Sequence, residues 1–377
     1  MKRLKILLLI LAVFILYPIN TEIIPCTTFI LRSQNHIYLG RNLDWISGTG
    51  LIMTNPKNLE KTALVDSKEK PAKWISRYGS LTFNQVGREL PFGGMNEAGL
   101  VVEHMSLEKT KYPDSDERCA IKACQWIQYQ LDNCATVEEV IESDKSVRIS
   151  DAASKFHFLI CDRSGHTAAI EFLDGKMIYH TGRELAIEAL ANSTFSESME
   201  CINNYKKTGS NAQIESDRSL FNFATAAQMI SQVDYPANQS PVNYSFNILK
   251  SVSQGIGTKW SIVYDITEMK VYIKVFETPV IAGPNKIFRK TPGESAIKEI
   301  EFGNFRFDCG QPCRVLDLET EKDGIVNQYF ENYTTEVNKK FIVKAFTFYK
   351  GWWETENGLT EEEMDYLAKY PESFKCK

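Results

Sequence analysis

Short runs of β-branched and alternating residues occur along most of the chain and predict β-strands. Residues 26–32 and 36–43 flank the polar tripeptide 33–35, which predicts a β-hairpin whose second strand ends close to residue 26. A Gly-rich turn leading into a strand is expected over 93–107. Further strands are predicted within 51–65, 80–84, 156–162, 167–173, 176–180, 187–193, 258–266 and 269–276.

Apolar positions spaced three and four residues apart predict helices between these strands. Such spacing is found over 117–131, 136–143, 197–206, 217–232 and 241–253. Thr136 is a candidate N-cap, and the dipeptides Ser164-Gly165 and Asp174-Gly175 predict hairpin turns. The order of strands, then helices, then strands favours an α+β fold in which two sheets pack face to face with helices outside them.

The character of the chain changes at Pro279. Residues 279–300 are rich in Pro, Gly and Lys, and the charged, aromatic tail has helical patterns near 316–331, 335–348 and 360–369. We interpret residues 26–278 as the main domain and residues 279–377 as a helical C-terminal extension packed on it.

The N-terminus has the pattern of an export signal. Basic residues within 2–5 precede an unbroken apolar run over 6–17, which is shorter than the roughly 20 residues that span a bilayer. Signal peptidase cleavage is expected near 18–22, and a short pro-segment ending at Pro25 would then be removed separately. The predicted product is periplasmic or secreted, with no stable membrane span after residues 1–25 are lost. An uncleaved membrane anchor is the alternative.

Composition and charge narrow the possible functions of this 377-residue chain. A net charge of −5 and a pI near 5.7 argue against binding to nucleic acid. No cofactor or metal is expected, since there is no GxxxxGKS/T loop, no HExxH or CxxC pattern, and no metal-ligand spacing among the five histidines. The nine cysteines suggest disulfides in an exported protein, and their odd number leaves at least one thiol unpaired. Cys309 and Cys313 could form a local bridge, although spacing alone cannot assign the pairs.

Cys26 is the candidate nucleophile. A free thiol has a pKa of about 8.5, so it needs a base or a positive field to react at neutral pH. If the processed chain begins at Cys26, its own α-amine, with a pKa of about 7.7–8.0, is a base within reach. Arg41, near the end of the second hairpin strand, would favour the thiolate, and Asp44 could hold the α-ammonium. The alternative is a structural half-cystine.

Five motifs resemble, in order and spacing, those of the choloylglycine hydrolase / penicillin V acylase family. The resemblance extends over roughly residues 26–276. The motifs are Cys26-Thr27-Thr28 with Gly40-Arg41-Asn42-Leu43-Asp44-Trp45, then Gly94-Met95-Asn96-Glu97-Ala98-Gly99-Leu100, Leu190-Ala191-Asn192-Ser193, Asp217-Arg218-Ser219 and Thr258-Lys259-Trp260-Ser261. The resemblance implies the N-terminal nucleophile hydrolase fold, a four-layer αββα sandwich of two antiparallel sheets. It also implies a tetramer as the possible homo-oligomer.

The resemblance also implies a mechanism and a substrate class. Cys26 would attack a linear, non-peptide amide, such as an N-acyl amide, a conjugated bile salt or penicillin V, and its α-amine would act as the base. Asn192 would bind the oxyanion, and Arg218 matches a late active-site arginine. The second oxyanion donor, Asn in bile-salt enzymes and often Tyr in penicillin V acylases, falls at Ser106. Because this position departs from both patterns, the backbone N–H of Ser106 is the expected donor.

Alternative interpretations of the same residues remain open. Arg41 and Asp44 could form an exposed ion pair, Asn192 could be a turn residue, and Arg218 could be an ordinary residue of a first helical turn. The substrate could instead be an N-acyl homoserine lactone or another N-acyl amine. A non-catalytic exported binding protein on the same scaffold is the alternative from another functional class.

Overall fold

The computed structural model describes residues 26–33, 35–45, 47–151, 154–232, 239–276, 295–352 and 359–377. The predicted signal and pro-segment over 1–25 therefore lies outside the described residues, as does the proposed domain boundary at 278/279.

The β-strands are β1 (Thr27–Ser33), β2 (His36–Asp44), β3 (Leu51–Asn55), β4 (Leu59–Thr62), β5 (Lys73–Ile75), β6 (Ser80–Asn84), β7 (Pro91–Asn96), β8 (Val101–Ser106), β9 (Cys119–Ile121), β10 (Val147–Ile149), β11 (Phe156–Cys161), β12 (Thr167–Leu173), β13 (Lys176–Thr181), β14 (Ala189–Leu190), β15 (Thr258–Asp265), β16 (Lys270–Val275), β17 (Lys298–Glu301), β18 (Arg314–Asp317), β19 (Gly324–Ile325), β20 (Glu331–Asn332) and β21 (Lys375–Cys376). The α-helices are α1 (Ala123–Asn133), α2 (Val137–Ser143), α3 (Phe195–Thr208), α4 (Ala212–Ser216), α5 (Arg218–Ile230), α6 (Pro241–Ser251), α7 (Thr335–Trp352) and α8 (Glu361–Lys369).

The first large sheet has seven strands in the order β14-β1-β2-β15-β16-β17-β19. Its neighbours are antiparallel except for the last pair, β17 and β19, which are parallel. The predicted hairpin is confirmed as β1 and β2, with Thr28 opposite Arg41 and Phe29 opposite Gly40. Gly40 is required here because a Cβ at this position would lie 2.4 Å from the Phe29 ring.

The second large sheet has nine strands in the order β13-β12-β11-β8-β7-β6-β3-β18-β20. Gly93 and Gly94 lie inside β7 and not in a turn, so the expected Gly-rich turn is wrong in its position. The turn lies at residues 97–100, where Asn96 Oδ1 accepts the backbone N–H groups of Ala98 and Leu100.

The two large sheets stack face to face with helices on both outer sides. Helices α5 and α6 pack on the first sheet, and α1 packs on the second. Phe83 of the second sheet contacts the rings of Trp260 and Tyr264 of the first, at centroid distances of 6.5 and 6.1 Å. The predicted four-layer αββα sandwich is confirmed. Among the described residues, no helix combines the length and the apolar character needed to cross a bilayer.

Three local predictions are wrong. The segment 117–131 divides into β9 and α1, because residues 119–121 pair with β10 before the helix begins. Only residues 189–190 of the predicted strand 187–193 are in a ladder. The segment 316–331 is not helical, because Val315 and Leu316 pair with β3 and the chain continues through β19 and β20. By contrast, α2 with its Thr136 cap, α7 and α8 confirm the predicted helices.

A disulfide joins Cys309 to Cys376, with their Cα atoms 5.7 Å apart. The local bridge considered between Cys309 and Cys313 is therefore wrong, and Cys313 is a free thiol. Cys376 lies in β21, which pairs with β4 in a small three-stranded sheet of order β21-β4-β5. The bridge consequently holds the C-terminal end of the chain against the segment that leads into β18 of the second sheet.

A buried ion cluster supports the three-stranded sheet. Lys61 of β4 lies 2.8 Å from Glu89 and 2.9 Å from Asp132, and all three side chains are at most 1% exposed. The indole N–H of Trp74 also donates to Asp132. Burial raises the pKa of Asp132, and the positive charge of Lys61 opposes that rise. Lys61 is therefore the cation shared by the two buried carboxylates, and Arg88 Nε lies 3.7 Å from Glu89 as a second positive charge.

Replacing Lys61 with Met should leave Asp132 without its cationic partner and Glu89 with only the more distant Arg88, so Lys61→Met is expected to lower the free energy of unfolding by about 3–5 kcal/mol. Urea unfolding followed by circular dichroism measures the change. The matched control is Lys57→Met, because Lys57 pairs with Glu97 while 31% exposed, and its loss should cost at most about 1 kcal/mol. Equal losses in the two variants would contradict the role of burial.

Candidate active site

Cys26 lies directly before β1, and its side chain is buried beneath the end of β2. The residue is 5% exposed, and its Sγ lies 3.6 Å from the carbonyl oxygen of Asp44. Burial raises the pKa of the Cys26 thiol to about 11, while Arg41 opposes the shift and Asp44 and Glu103 add to it. The hairpin therefore places Arg41 and Asp44 beside Cys26, as the sequence predicted.

Asp44 is the last residue of β2 and is 1% exposed. Its Oδ1 accepts a short hydrogen bond from the Thr258 hydroxyl, whereas its Oδ2 is buried and has no hydrogen-bond partner among the described residues. Burial raises the pKa of Asp44 to about 7, against the Thr258 hydrogen bond and the positive charges of Arg41, Arg218 and Lys259. One carboxylate oxygen is thus left to accept a further hydrogen bond beside Cys26.

Arg41 forms an ion pair with Glu103 across the interior of the sandwich. Its Nε lies 2.7 Å from Glu103 Oε2, and both side chains are 1% exposed. Tyr264 donates its phenolic O–H to the other oxygen of Glu103. Burial raises the pKa of Glu103 to about 7, and Arg41 and the Tyr264 hydrogen bond oppose that rise. The interpretation of Arg41 and Asp44 as an exposed ion pair is therefore wrong, since both are buried and the ion-pair partner of Arg41 is Glu103.

The sequence analysis missed Glu103, although its setting carried a signal. Glu103 is a charged residue within the apolar strand β8 and lies opposite Gly93 in the ladder. A Cβ on Gly93 would approach the Glu103 carboxylate to 2.3 Å. A glycine opposite an acid in a buried ladder indicates that the acidic side chain occupies the space above the glycine. An acid buried in this way needs a cationic partner inside the protein.

Asn192 and Ser106, the two expected oxyanion positions, are brought together. The side-chain amide of Asn192 donates to the carbonyl oxygen of Ser106 at 2.7 Å, and its backbone N–H donates to Ser219 Oγ at 2.8 Å. The β1–β14 ladder pairs Thr28 with Leu190, and extending this register by two residues aligns Asn192 with Cys26. Asn192 thus lies two residues beyond β14, and its amide faces the end of β8.

Arg218 differs from the other candidate residues because its side chain is exposed. It occupies the first position of α5, where Asp217 is the N-cap. Its guanidinium donates to the carbonyl of Ser253 at 3.1 Å and lies 4.8 Å from the centre of the Phe221 ring. Its positive charge lowers the pKa of Asp44, so it acts on the site through electrostatics.

Two asparagines that were not predicted as site residues hold the β1–β2 hairpin against its neighbours. Asn222 of α5 donates to the Thr27 hydroxyl at 3.1 Å, directly after Cys26. Asn42 donates to the carbonyl of Leu249 at 2.7 Å and accepts from Ser261. Their side chains bind the hairpin to α5, α6 and β15. No sequence motif distinguishes such asparagines from turn residues.

One group of side chains in the described part of the chain has the spacing of a metal site. Glu138, Asp162 and His166 place ligand atoms within 4.8 Å of one another. Asp162 already accepts the backbone N–H groups of Val137, Ser164 and His166. It therefore shapes the turn between β11 and β12.

Comparison with known proteins decides the family. The sequence pattern of the linear amide C-N hydrolases, choloylglycine hydrolase family, matches residues 26–254. The chain belongs to this family. It is therefore a hydrolase of linear amide C–N bonds, and the match begins at Cys26. The expected closing strands β15 and β16 lie beyond the matched residues.

Similar proteins agree with this assignment. A penicillin V acylase of Pectobacterium atrosepticum is 23% identical in an alignment of 304 residues that covers 68% of this chain and 80% of that protein. The structure of penicillin V acylase from Agrobacterium tumefaciens superposes with a TM-score of 0.65 at 24% identity, over 82% of this chain and 98% of that one. A mutant of conjugated bile acid hydrolase from Clostridium perfringens gives a TM-score of 0.59 at 17% identity, over 80% of this chain and 98% of that one. These structures share the fold.

A substitution at Glu103 tests how the Arg41–Glu103 ion pair affects the Cys26 thiol in this member of the choloylglycine hydrolase family. Glu103→Gln is expected to lower the pKa of the Cys26 thiol, because Arg41 then favours the thiolate without the opposing negative charge. The pH midpoint of alkylation by iodoacetamide, followed by mass spectrometry of the Cys26 peptide, measures the shift. Glu97→Gln is the control, since Glu97 pairs with the partly exposed Lys57. An unchanged or higher midpoint in Glu103→Gln would show that the ion pair does not act on the thiol.

Proposed function

We propose that the processed chain begins at Cys26 and hydrolyses linear, non-peptide amides with the Cys26 thiol as nucleophile and its α-amine as base. The observation that carries the proposal is the position of Cys26, buried at the start of β1 with its Sγ 3.6 Å from the Asp44 carbonyl. The unpartnered Asp44 Oδ2 supports it, since a free α-ammonium would be a suitable donor to that oxygen.

The α-amine first removes the thiol proton, and Sγ forms a bond to the amide carbonyl carbon. The tetrahedral intermediate collapses as the C–N bond breaks, and the α-ammonium returns the proton to the leaving amine. Water, deprotonated by the same amine, then attacks the thioester, which releases the carboxylic acid and restores the thiol. Asp44 orients the amine through both steps.

Asn192 and the backbone of Ser106 would stabilise the oxyanion. Leu107 N–H donates to Lys155 O, and bonded pairs alternate in antiparallel ladders, so Ser106 and Phe156 form a pair without mutual hydrogen bonds. The N–H of Ser106 consequently points away from β11, on the same side as the carbonyl that accepts from Asn192. This arrangement supports a backbone donor where the family uses a side chain.

The substrate carries a bulky, apolar acyl group, as penicillin V and conjugated bile acids do. The relatives named as penicillin V acylase and conjugated bile acid hydrolase support this class. N-acyl homoserine lactones are the alternative substrate. Turnover of penicillin V, glycocholate and a long-chain acyl-homoserine lactone, assayed side by side, separates the three.

The protein is exported and works in an oxidising compartment. The Cys309–Cys376 disulfide supports this proposal, because such bridges persist mainly in secreted and periplasmic proteins. Removal of residues 1–25, which frees the amine of Cys26, then belongs to maturation after export.

Cys26→Ser is expected to abolish turnover of chromogenic acyl amides, because a serine hydroxyl is a far weaker nucleophile at neutral pH. Cys201→Ser is the matched control, since Cys201 is also a buried free thiol and should keep full activity. Intact-mass analysis of active wild-type protein should give a chain that begins at Cys26. Full activity of Cys26→Ser, or of a chain that retains residues before Cys26, would refute the mechanism.

Asn192→Ala is expected to lower kcat by about 10²–10³-fold, the usual effect of removing one oxyanion donor. Ser106→Ala keeps the backbone N–H and should change kcat by less than about threefold if the side chain is not the donor. Steady-state kinetics on one acyl amide measures both. A large loss in Ser106→Ala would instead assign the second donor to the hydroxyl.

A further inference from the structure

The loop that carries Asn192 is held from behind by a buried pair, His157 and Glu171. The two residues are fully buried and face each other across β11 and β12. His157 Nε2 lies 2.7 Å from the carbonyl oxygen of Ala191, directly before Asn192. His157 Nδ1 lies 3.3 Å from Glu171 Oε1.

Glu171 binds the far end of the same loop. Its Oε1 accepts the backbone N–H of Phe195 at 2.9 Å, at the point where Thr194 and Glu197 form the capping box of α3. The pair therefore contacts the chain on both sides of Asn192, at Ala191 and at Phe195. A shift of either contact changes the position of the Asn192 amide relative to Ser106.

The contacts of His157 and Glu171 join the two ends of the loop. The carbonyl of Ala191 can only accept, so His157 Nε2 donates to it. Glu171 Oε1 contacts His157 Nδ1 and also accepts the backbone N–H of Phe195. Ala191 and Phe195 are therefore connected through one continuous set of hydrogen bonds that passes behind Asn192.

Other titratable groups surround the pair on the neighbouring strands. His180 of β13 places its Nε2 3.8 Å from Glu171 Oε2. On β8, burial lowers the pKa of His104 well below its usual value, and Arg41 and His157 lower it further, so His104 is neutral there.

We propose that His157 and Glu171 are positioning residues that fix Asn192 for oxyanion binding through their contacts with Ala191 and Phe195. This inference rests on the proposed function, because it requires the Asn192 amide to stabilise the oxyanion. The pair does not touch the substrate and acts through the 191–195 loop.

Steady-state kinetics of His157→Gln tests the positioning role. A displaced donor should lower kcat by about 10²-fold, with KM within about twofold, because substrate binding does not use this pair. His166→Gln is the matched control, since His166 is 63% exposed and pairs with Glu138 outside the site. In the Asn192→Ala background, His157→Gln should have no further effect, because the donor that it positions is gone. Equal losses of kcat in both backgrounds would overturn the proposal and show a general structural role.

An experiment that does not use activity tests the contact between His157 and Ala191. Nitrogen-15 NMR of histidine-labelled Cys26→Ala protein should show a proton on Nε2 of His157, because the Ala191 carbonyl can only accept, with the assignment made by loss of the signals in His157→Gln. If that variant does not fold, Glu171→Gln provides the assignment through the shift of Nδ1. An Nε2 without a proton would overturn the proposal. If Cys26→Ser keeps activity, the proposed function fails, whereas the NMR result still decides whether His157 holds Ala191.

Discussion

The ion pair between Arg41 and Glu103 is the interaction on which the centre of the sandwich depends. A guanidinium buried without a counter-ion would cost several kcal/mol, so an arginine on the inner face of β2 requires an acid on the facing sheet. Glu103 meets that requirement, and Gly93 must lack a side chain because the carboxylate occupies the space. Tyr264 occupies the second oxygen of Glu103. One cation beside the thiol therefore fixes residue types on three other strands.

The same pair explains why Arg41 alone does not activate Cys26. Arg41 favours the thiolate, but Glu103 cancels part of its field, and burial outweighs the remaining effect of Arg41, so that the pKa of the thiol is raised to about 11. A thiol in that state is protonated at neutral pH. The site thus needs a base at the sulfur, and the Cys26 α-amine proposed above meets this need without another residue. Asp44, whose pKa is raised to about 7, is then the group that an adjacent ammonium would help to ionise.

Local chemistry made part of this structure predictable. The β1–β2 hairpin, the turns at Gly165 and Gly175, which have positive φ, and the Thr136 cap follow from residues within a few positions of each other. The placement of Arg41 and Asp44 beside Cys26 follows from that hairpin register. Glu103 and the His157–Glu171 pair could not be predicted in the same way, because their partners lie on strands that are distant in sequence. The segment 316–331 had a helical pattern, and the pairing of Leu316 with Ile52 of β3 made its start a strand instead.

The C-terminal segment helps to hold the site, although it lies beyond the matched family region. Strands β17 and β19 extend the first sheet, and β18 and β20 extend the second, which covers edges that would otherwise be open. Leu318 N–H donates to Gly50 O at 3.0 Å, while Trp260 donates to Gly48 O at 2.8 Å. A Cβ on Gly50 would lie 2.2 Å from the Trp260 ring and 2.7 Å from Leu318. The chain that follows Asp44 is thus confined between β15 and the C-terminal segment, so the carboxylate beside Cys26 takes its position partly from residues more than 270 positions away along the chain.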